Sequence, residues 1–307
     1  SDTALHMLRL ELLDRSIRSG VEYPRWFPEM TLGYGYPFFA FYAPATYYAA
    51  ELFHLAGLSI YGSFLVLTLL ILVGSGLTMH LFARRLFGAG GEWAALTAAV
   101  AWMATPYLLT NLYLRGAFGE AAAQMLLPLV LWSLHPLFRE RPAARALPWL
   151  VISLTLLLVT HTISLLLLPP LLAAYTLLLW WSSGRSTAQL LWCAVAVVLA
   201  LALSAFFWLP VFTDRQYITQ AGLELARILR LPSSIWTSSN FLDGGLRFTY
   251  NFERPVRLGL VQAIVGLAGL VILLRLRQRR GEWLFWASVA LVAAALMTGW
   301  ALPLWQS

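Results

Sequence analysis

The chain has 307 residues, 60% of them hydrophobic and 11% charged, with a formal net charge of +7. No ordinary soluble domain has that balance, so composition alone points to a membrane protein. All 21 basic residues are arginine and Cys193 is the one cysteine, which excludes a lysine nucleophile, a Schiff base and an internal disulfide.

The chain opens on polar sequence, Ser1-Asp2, with no signal-like segment. The expectation is a fragment whose first membrane helix lies upstream. If the segment after Asp2 is helical, spacings of four and three put Asp2, His6 and Arg9 on one face. Glu11, Asp14, Arg15 and Arg18 then fall on another. A carboxylate beside His and Arg suits a general base, its anionic form favoured by the cation. A charged interfacial helix with local ion pairs accounts for the same pattern.

Residues Gly20–Ala50 hold eleven aromatics and four prolines in thirty-one positions. Pro24, Pro28, Pro37 and Pro44 rule out one uninterrupted helix. Aromatics with one apolar and one wet end prefer the membrane–water interface, so this stretch reads as a structured loop at a bilayer surface. Tyr34, Tyr36 and Trp26 can pack a sugar face or belong to an aromatic belt. Gly33-x-Gly35 is too short, and in the wrong context, for a dinucleotide fold.

Eight apolar runs follow, near 61–83, 92–111, 120–138, 147–163, 165–183, 188–211, 256–274 and 283–303; a span needs about 20 residues. The prolines at 169 and 170 are expected to break the fifth. The loops after spans one, three, five and seven carry ten arginines (84, 85, 139, 141, 145, 185, 275, 277, 279, 280) against Glu92, Glu140 and Glu282, or +7. The remaining eleven arginines face eleven acids. The whole net charge lies on one face, which is therefore cytoplasmic; residues 1–60 and 212–255 are then outside. No lysine-free nucleic-acid patch stands apart from this membrane pattern, and a nucleic-acid partner is not expected.

Three outer constellations remain. Arg115 and Glu120 flank a turn with Gly116 and Gly119. Arginine grips phosphate through parallel hydrogen bonds and stays charged, glycine lets a ligand approach the backbone, and a plain salt bridge is the alternative. Thr160-His161-Thr162 sits between two apolar runs, where ionisable groups are functional candidates or merely meet wet headgroups. Trp208-Leu209-Pro210 ends a span, with Asp214 and Arg215 beyond; an outer ion pair is their default meaning. His54 is a weaker candidate, and His80 and His135 fall near the cytoplasmic side. There is no Walker sequence, HExxH, CxxC or DxD pair.

Asp2-x-x-x-His6, GVEYPRWFP, GYGYPFFAFYAPATYY, LRGAFGEAAAQMLLPLVLW, LLVTHTISLLLLP and SAFFWLPVF together resemble the bacterial membrane family called 6-pyruvoyl-tetrahydropterin synthase-related, placed in the GT-C glycosyltransferase superfamily. The resemblance covers about residues 2–212. It implies an all-α polytopic membrane protein with a GT-C-like bundle and interfacial helices in a large first outer loop. It also implies an inverting transferase that moves a sugar from a polyprenyl-phosphate donor to an acceptor hydroxyl at the outer face of a bacterial cytoplasmic membrane.

On that reading Asp2, with His6, takes or orients the acceptor proton. Arg115, helped by Arg25 or His161, neutralises the departing phosphate, and Tyr34, Tyr36 and Glu120 complete the substrate site. No cofactor is expected, although Glu22 and Glu120 are acids that could hold a divalent metal. The division expected is an outer loop at 1–60, a bundle of about six spans at 61–211, a second outer loop at 212–255, and two truncated-end spans at 256–307. The alternative is a non-catalytic transporter, flippase or binder of lipid-linked sugars. Titratable residues on outer loops rather than within the spans favour surface chemistry over translocation. Asp2, Arg115 and His161 should converge on one outer cavity.

Overall fold

The structure, a computed structural model, describes residues 3–140, 143–214, 259–275, 280–298 and 301. Asp2, Arg141, Arg215 and most of 212–255 lie outside the described residues.

Helix α1 (Thr3–Arg18) buries His6, Leu10 and Leu13, one stripe at helical spacing. Its exposed side carries two i,i+4 ion pairs, Arg15 with Glu11 and Arg18 with Asp14. The loop beyond it folds on a bridge between Phe27 and Tyr36, whose two backbone hydrogen bonds measure 2.9 and 3.0 Å. Gly35 makes this turn possible. Its φ is +80°, and a Cβ there would lie 2.3 Å from the Trp26 ring. Two short helices follow, α2 (Phe38–Phe41) and α3 (Ala45–Leu55).

The aromatic loop therefore builds a core. Phe27, Phe38, Phe39 and Tyr47 are fully buried with Leu10 and Leu13 of α1, Phe64 and Phe118. Trp26, Tyr34 and Tyr36 stay exposed. Burying a large aromatic contributes roughly 1.5–3 kcal/mol, so this cluster anchors α1 and α3 onto the bundle.

Helix α4 (Ile60–Phe87) starts at Ser59, whose hydroxyl accepts from the Gly62 N–H at 3.0 Å. Its 28 residues reach about 42 Å, more than a ~30 Å hydrocarbon core needs. The second expected span is not one helix. α5 (Glu92–Met103) ends ahead of Pro106; Thr105 caps α6 (Pro106–Thr110), and a five-residue π turn, Asn111–Arg115, follows. Proline lacks the N–H that would continue the ladder and suits a new first turn.

Helix α7 (Phe118–Arg139) runs through the middle of the bundle and packs on α4 and on α8 (Leu147–Leu158). α9 (Ser164–Ser182) is continuous through Pro169 and Pro170, which corrects the expected break. Spanning helices tolerate proline where neighbouring groups or local adjustments of the ladder re-satisfy the freed carbonyls.

α10 (Thr187–Leu203) and α11 (Ala205–Asp214) meet at a 72° bend. Ser204 stands at the bend, its hydroxyl donating to the carbonyl of Ala200 at 2.7 Å. The run 188–211 is thus a bent pair, and α11 packs against α2 of the aromatic loop. α12 (Leu260–Arg275) and α13 (Arg280–Leu296) complete the described elements.

Among the described residues α4, α7 and α9 are each long and apolar enough to cross a membrane, and the bent pair makes a fourth. Among the described residues α5, α8, α12 and α13 are apolar but shorter than the length a span needs. Among the described residues two large cores result, the aromatic one and a second of α7–α10 residues such as Val130, Leu134, Leu150 and Tyr175, with a small third cluster of Ala43, Val159 and Phe207.

Candidate functional site

One end of the bundle gathers polar side chains from five elements. From α1, the His6 imidazole is buried, with Nδ1 at 2.5 Å from the Tyr47 hydroxyl of α3. The Arg9 guanidinium reaches the same hydroxyl at 3.4 Å and lies 4.3 Å over the Phe38 ring. That cation–π contact holds Arg9 beside the His6–Tyr47 pair without neutralising it.

The π turn presents Arg115. Its guanidinium donates to the Asn111 side-chain oxygen at 2.6 Å and to the Glu120 carboxylate at 3.0 Å. Since guanidinium only donates, the Asn111 oxygen must face it. The Asn111 amide nitrogen is then left buried without a partner among the described residues. π turns interrupt the normal ladder and recur at functional sites; this one aims residues 111 and 115, four apart, at the same place.

Two glycines close the gaps. Gly116, left-handed at φ +72°, brings the chain against α1: a Cβ there would sit 3.2 Å from the Thr3 hydroxyl and 3.7 Å from the His6 ring. At Gly119 a Cβ would sit 3.0 Å from the Thr160 carbonyl, 3.6 Å from the His161 ring and 3.8 Å from the Tyr42 hydroxyl. The segment Arg115–Glu120 is thus wedged between His6 on one side and His161 with Tyr42 on the other.

His161 lies in the turn between α8 and α9. Its Nδ1 meets the Ser164 hydroxyl at 2.8 Å and accepts the Ser164 backbone N–H at 3.3 Å. An accepting Nδ1 leaves the neutral ring's proton on Nε2. Burial first, and then the nearby Arg115 charge, push the His161 pKa below its ordinary value. The ring is a neutral donor beside a fixed cation.

Next to this turn a half-open apolar cavity of about 620 Å³ lies between α7, α8, α9 and α10. Leu157, Leu158 and Leu165, which flank the His161 turn in sequence, line its wall together with Val130, Pro169 and Leu172.

The structure thus brings four of the sequence-predicted residues, His6, Arg115, Glu120 and His161, to one place. Asp2 lies outside the described residues, so its convergence with Arg115 and His161 is untested. Arg25, Tyr34 and Tyr36 stand elsewhere. Arg25 donates to the Phe206 carbonyl of α11 at 3.1 Å and lines an open groove with Tyr23, Trp26 and Glu29. Tyr34 is 83% exposed. Among the described residues none of the three shares a hydrogen bond, ion pair or ring contact with His6, Arg115, Glu120 or His161. No three His, Cys, Asp or Glu among the described residues gather to hold a metal, and the Glu22 carbonyl serves as acceptor for the Tyr48 hydroxyl.

Sequence reasoning missed Tyr47, Arg9's partner ring Phe38, Tyr42 and Asn111. The one available signal was Asn111 four residues before Arg115; Tyr47 was one aromatic among eleven.

A family model described as 6-pyruvoyl-tetrahydropterin synthase related domain, membrane protein, matches residues 39–307. The match extends past the expected limit near 212 and begins after α1, so the segment holding Asp2, His6 and Arg9 precedes it. No curated protein and no solved structure matches the chain.

Proposed function

We propose a function from this premise: the chain belongs to the 6-pyruvoyl-tetrahydropterin synthase-related family of membrane proteins. It transfers a sugar from a polyprenyl-phosphate donor to an acceptor hydroxyl at the outer membrane surface, as a GT-C-type, inverting glycosyltransferase of the bacterial cytoplasmic membrane. The single observation carrying this reading is the site's position: a cation clamped by Asn111 and Glu120 stands between two histidines, next to the α8–α9 turn whose flanking leucines line an apolar cavity. A lipid phosphate has those two requirements, a fixed positive charge for its head and a dry channel for its chain.

In this scheme the acceptor oxygen attacks the anomeric carbon as the bond from that carbon to the phosphate oxygen breaks. The phosphate leaves with the electron pair, and the hydroxyl proton passes to the Asp2 carboxylate. Arg115 and the His161 Nε2–H stabilise the charge growing on the phosphate. His6, held by Tyr47, orients the acceptor side. Arg9 adds charge without a proton. Arg25, Tyr34 and Tyr36, at the loop's exposed edge, meet the acceptor rather than the donor. A divalent cation, if the reaction uses one, finds its carboxylate in Glu120 or Glu22.

Membranes holding the protein, supplied with radiolabelled polyprenyl-phosphate hexoses, test this. Transfer of label by the parent and its loss in Asp2→Asn and Arg115→Ala supports the transferase. No transfer, with lipid-phosphate binding still sensitive to Arg115→Ala, replaces it with the carrier or binder of lipid-linked sugars.

A further inference from the structure

At the opposite, arginine-rich end of the bundle a smaller cavity of about 230 Å³ lies between α4, α7 and α8, lined by Arg85, Trp132, Glu140, Arg145 and Trp149 among others. Arg85 is locked in place there. One guanidinium nitrogen donates to the Trp132 carbonyl at 2.6 Å, and its carbon sits 4.1 Å over the Trp132 ring. Trp149 packs edge-on to Trp132 at 6.2 Å.

The charge in this cavity is not balanced. Among the described residues neither Arg85 nor Arg145 has a carboxylate within 4.0 Å. Neighbouring Arg84 and Arg139, by contrast, pair with Glu92 and Glu282. Glu140 is the acid on the rim, near enough to act on Arg85 through space but not to bond it. Two arginines minus one glutamate leave +1. Of the five N–H donors a guanidinium offers, Arg85 gives one to protein. A rigid, half-buried guanidinium with donors to spare is costly unless something anionic meets it.

We infer that this cavity binds the phosphodiester headgroup of an anionic phospholipid. The lipid source, rather than soluble phosphate, follows from the surroundings. The cavity lies at the ends of membrane-length α4 and α7, beside Trp149, which is 57% exposed in the manner of an interfacial tryptophan. Basic pockets between spanning helices take anionic headgroups on the same physical grounds. The bound headgroup accepts from Arg85 and Arg145 while its acyl chains lie along the apolar faces of α4 and α8, tying the inner ends of α4, α7 and α8 together.

Native mass spectrometry of the detergent-solubilised full chain, titrated with phosphatidylglycerol or phosphatidylcholine, tests the site. Phosphatidylglycerol is expected to be retained at least about tenfold better, and Arg145→Gln to lower that preference about tenfold, the order for one lost charge-assisted contact. Among the described residues Arg145 makes no hydrogen bond or ion pair that the fold needs, so the variant is expected to fold. Arg85→Lys keeps the charge but loses the planar fork, and weakens the lipid in the same direction. Arg84→Gln, outside the cavity, leaves it unchanged. Equal retention of the two lipids overturns the proposal, as does an equal effect of Arg84→Gln and Arg145→Gln. Displacement of phosphatidylglycerol by millimolar inorganic phosphate overturns the lipid source.

Discussion

Glu51 offers a quantitative test of how the outer loop is held to the bundle. It lies on α3, one turn after Tyr47, and is 1% exposed, with neither carboxylate oxygen meeting a conventional donor among the described residues. Its neighbours are Asp14 and Arg18 of α1, and His54 and Tyr48 of α3. Burial, then the Asp14 charge, push its pKa from 4.5 up to about 7, with His54 and Arg18 opposing. A carboxyl facing another carboxylate is favoured in its protonated form, and Glu51 is the one of the pair whose pKa is raised. The native pKa lies above the unfolded one. The associated stability is therefore fully present below about pH 4.5 and is lost as pH rises through about 7. At 1.36 kcal/mol per unit the full shift amounts to about 3.4 kcal/mol, which solvent near Asp14 screens to roughly 2–3 kcal/mol. Glu51→Gln is neutral at every pH and can still donate to Asp14. It should match the parent at pH 5 and exceed it at pH 8, by about 3–5 °C in unfolding midpoint for a chain of this size. Circular dichroism melts in detergent micelles at the two pH values measure this. A variant with the parent's full pH dependence, or one destabilised equally at both, refutes a protonated Glu51.

Arg115→Ala should reduce sugar transfer by about 10²–10³-fold, the range for removing one charge-stabilising donor, and Arg115→Lys should recover part of it; initial rates in membranes decide. Tyr47→Phe keeps the buried ring but removes the hydroxyl that His6 and Arg9 share. It should lower transfer about tenfold while shifting the melting midpoint little, and a large loss of stability would make the hydroxyl structural instead. Gly35→Ala places a methyl on the Trp26 ring at positive φ and should cost about 1–3 kcal/mol; limited proteolysis of the 26–36 loop should accelerate.

Periodicity exposed some of this site and concealed the rest. Spacing put His6 and Arg9 on one helical face, and α1 does carry both. It could not show that the face is buried against Tyr47, because α3 meets α1 forty residues later through tertiary packing alone. Hydropathy found α4, α7 and α9 but ran α5 into the turn behind it, since apolar residues on both sides of Pro106 hide a stop that the backbone enforces. Asn111 therefore read as the end of a span, whereas the π turn makes it the residue that fixes Arg115. Glu51 went unremarked because one acid in a short aromatic helix looks like a solvated face; only burial distinguishes it.

The bend at Ser204 gives the two cores a common purpose. A straight run from 187 to 214 would carry Phe206 and Phe207 away from the loop. The 72° turn instead packs Phe207 with Ala43 and Val159, while Tyr23 meets Phe206 edge-on at 5.4 Å. The loop is also tied to the α8 end, where the Ala45 N–H donates to the Val159 carbonyl at 2.9 Å, directly before Thr160 and His161. The same contacts that seat the aromatic core thus fix His161 against the Arg115–Glu120 segment and leave the α8–α9 wall of the apolar cavity beside it. A ligand with a long apolar chain and an anionic head can meet the wall and the cation at once only if these segments keep their relative positions. Loosening α11 should therefore disturb head and chain recognition together, although α11 contributes no charge to the site.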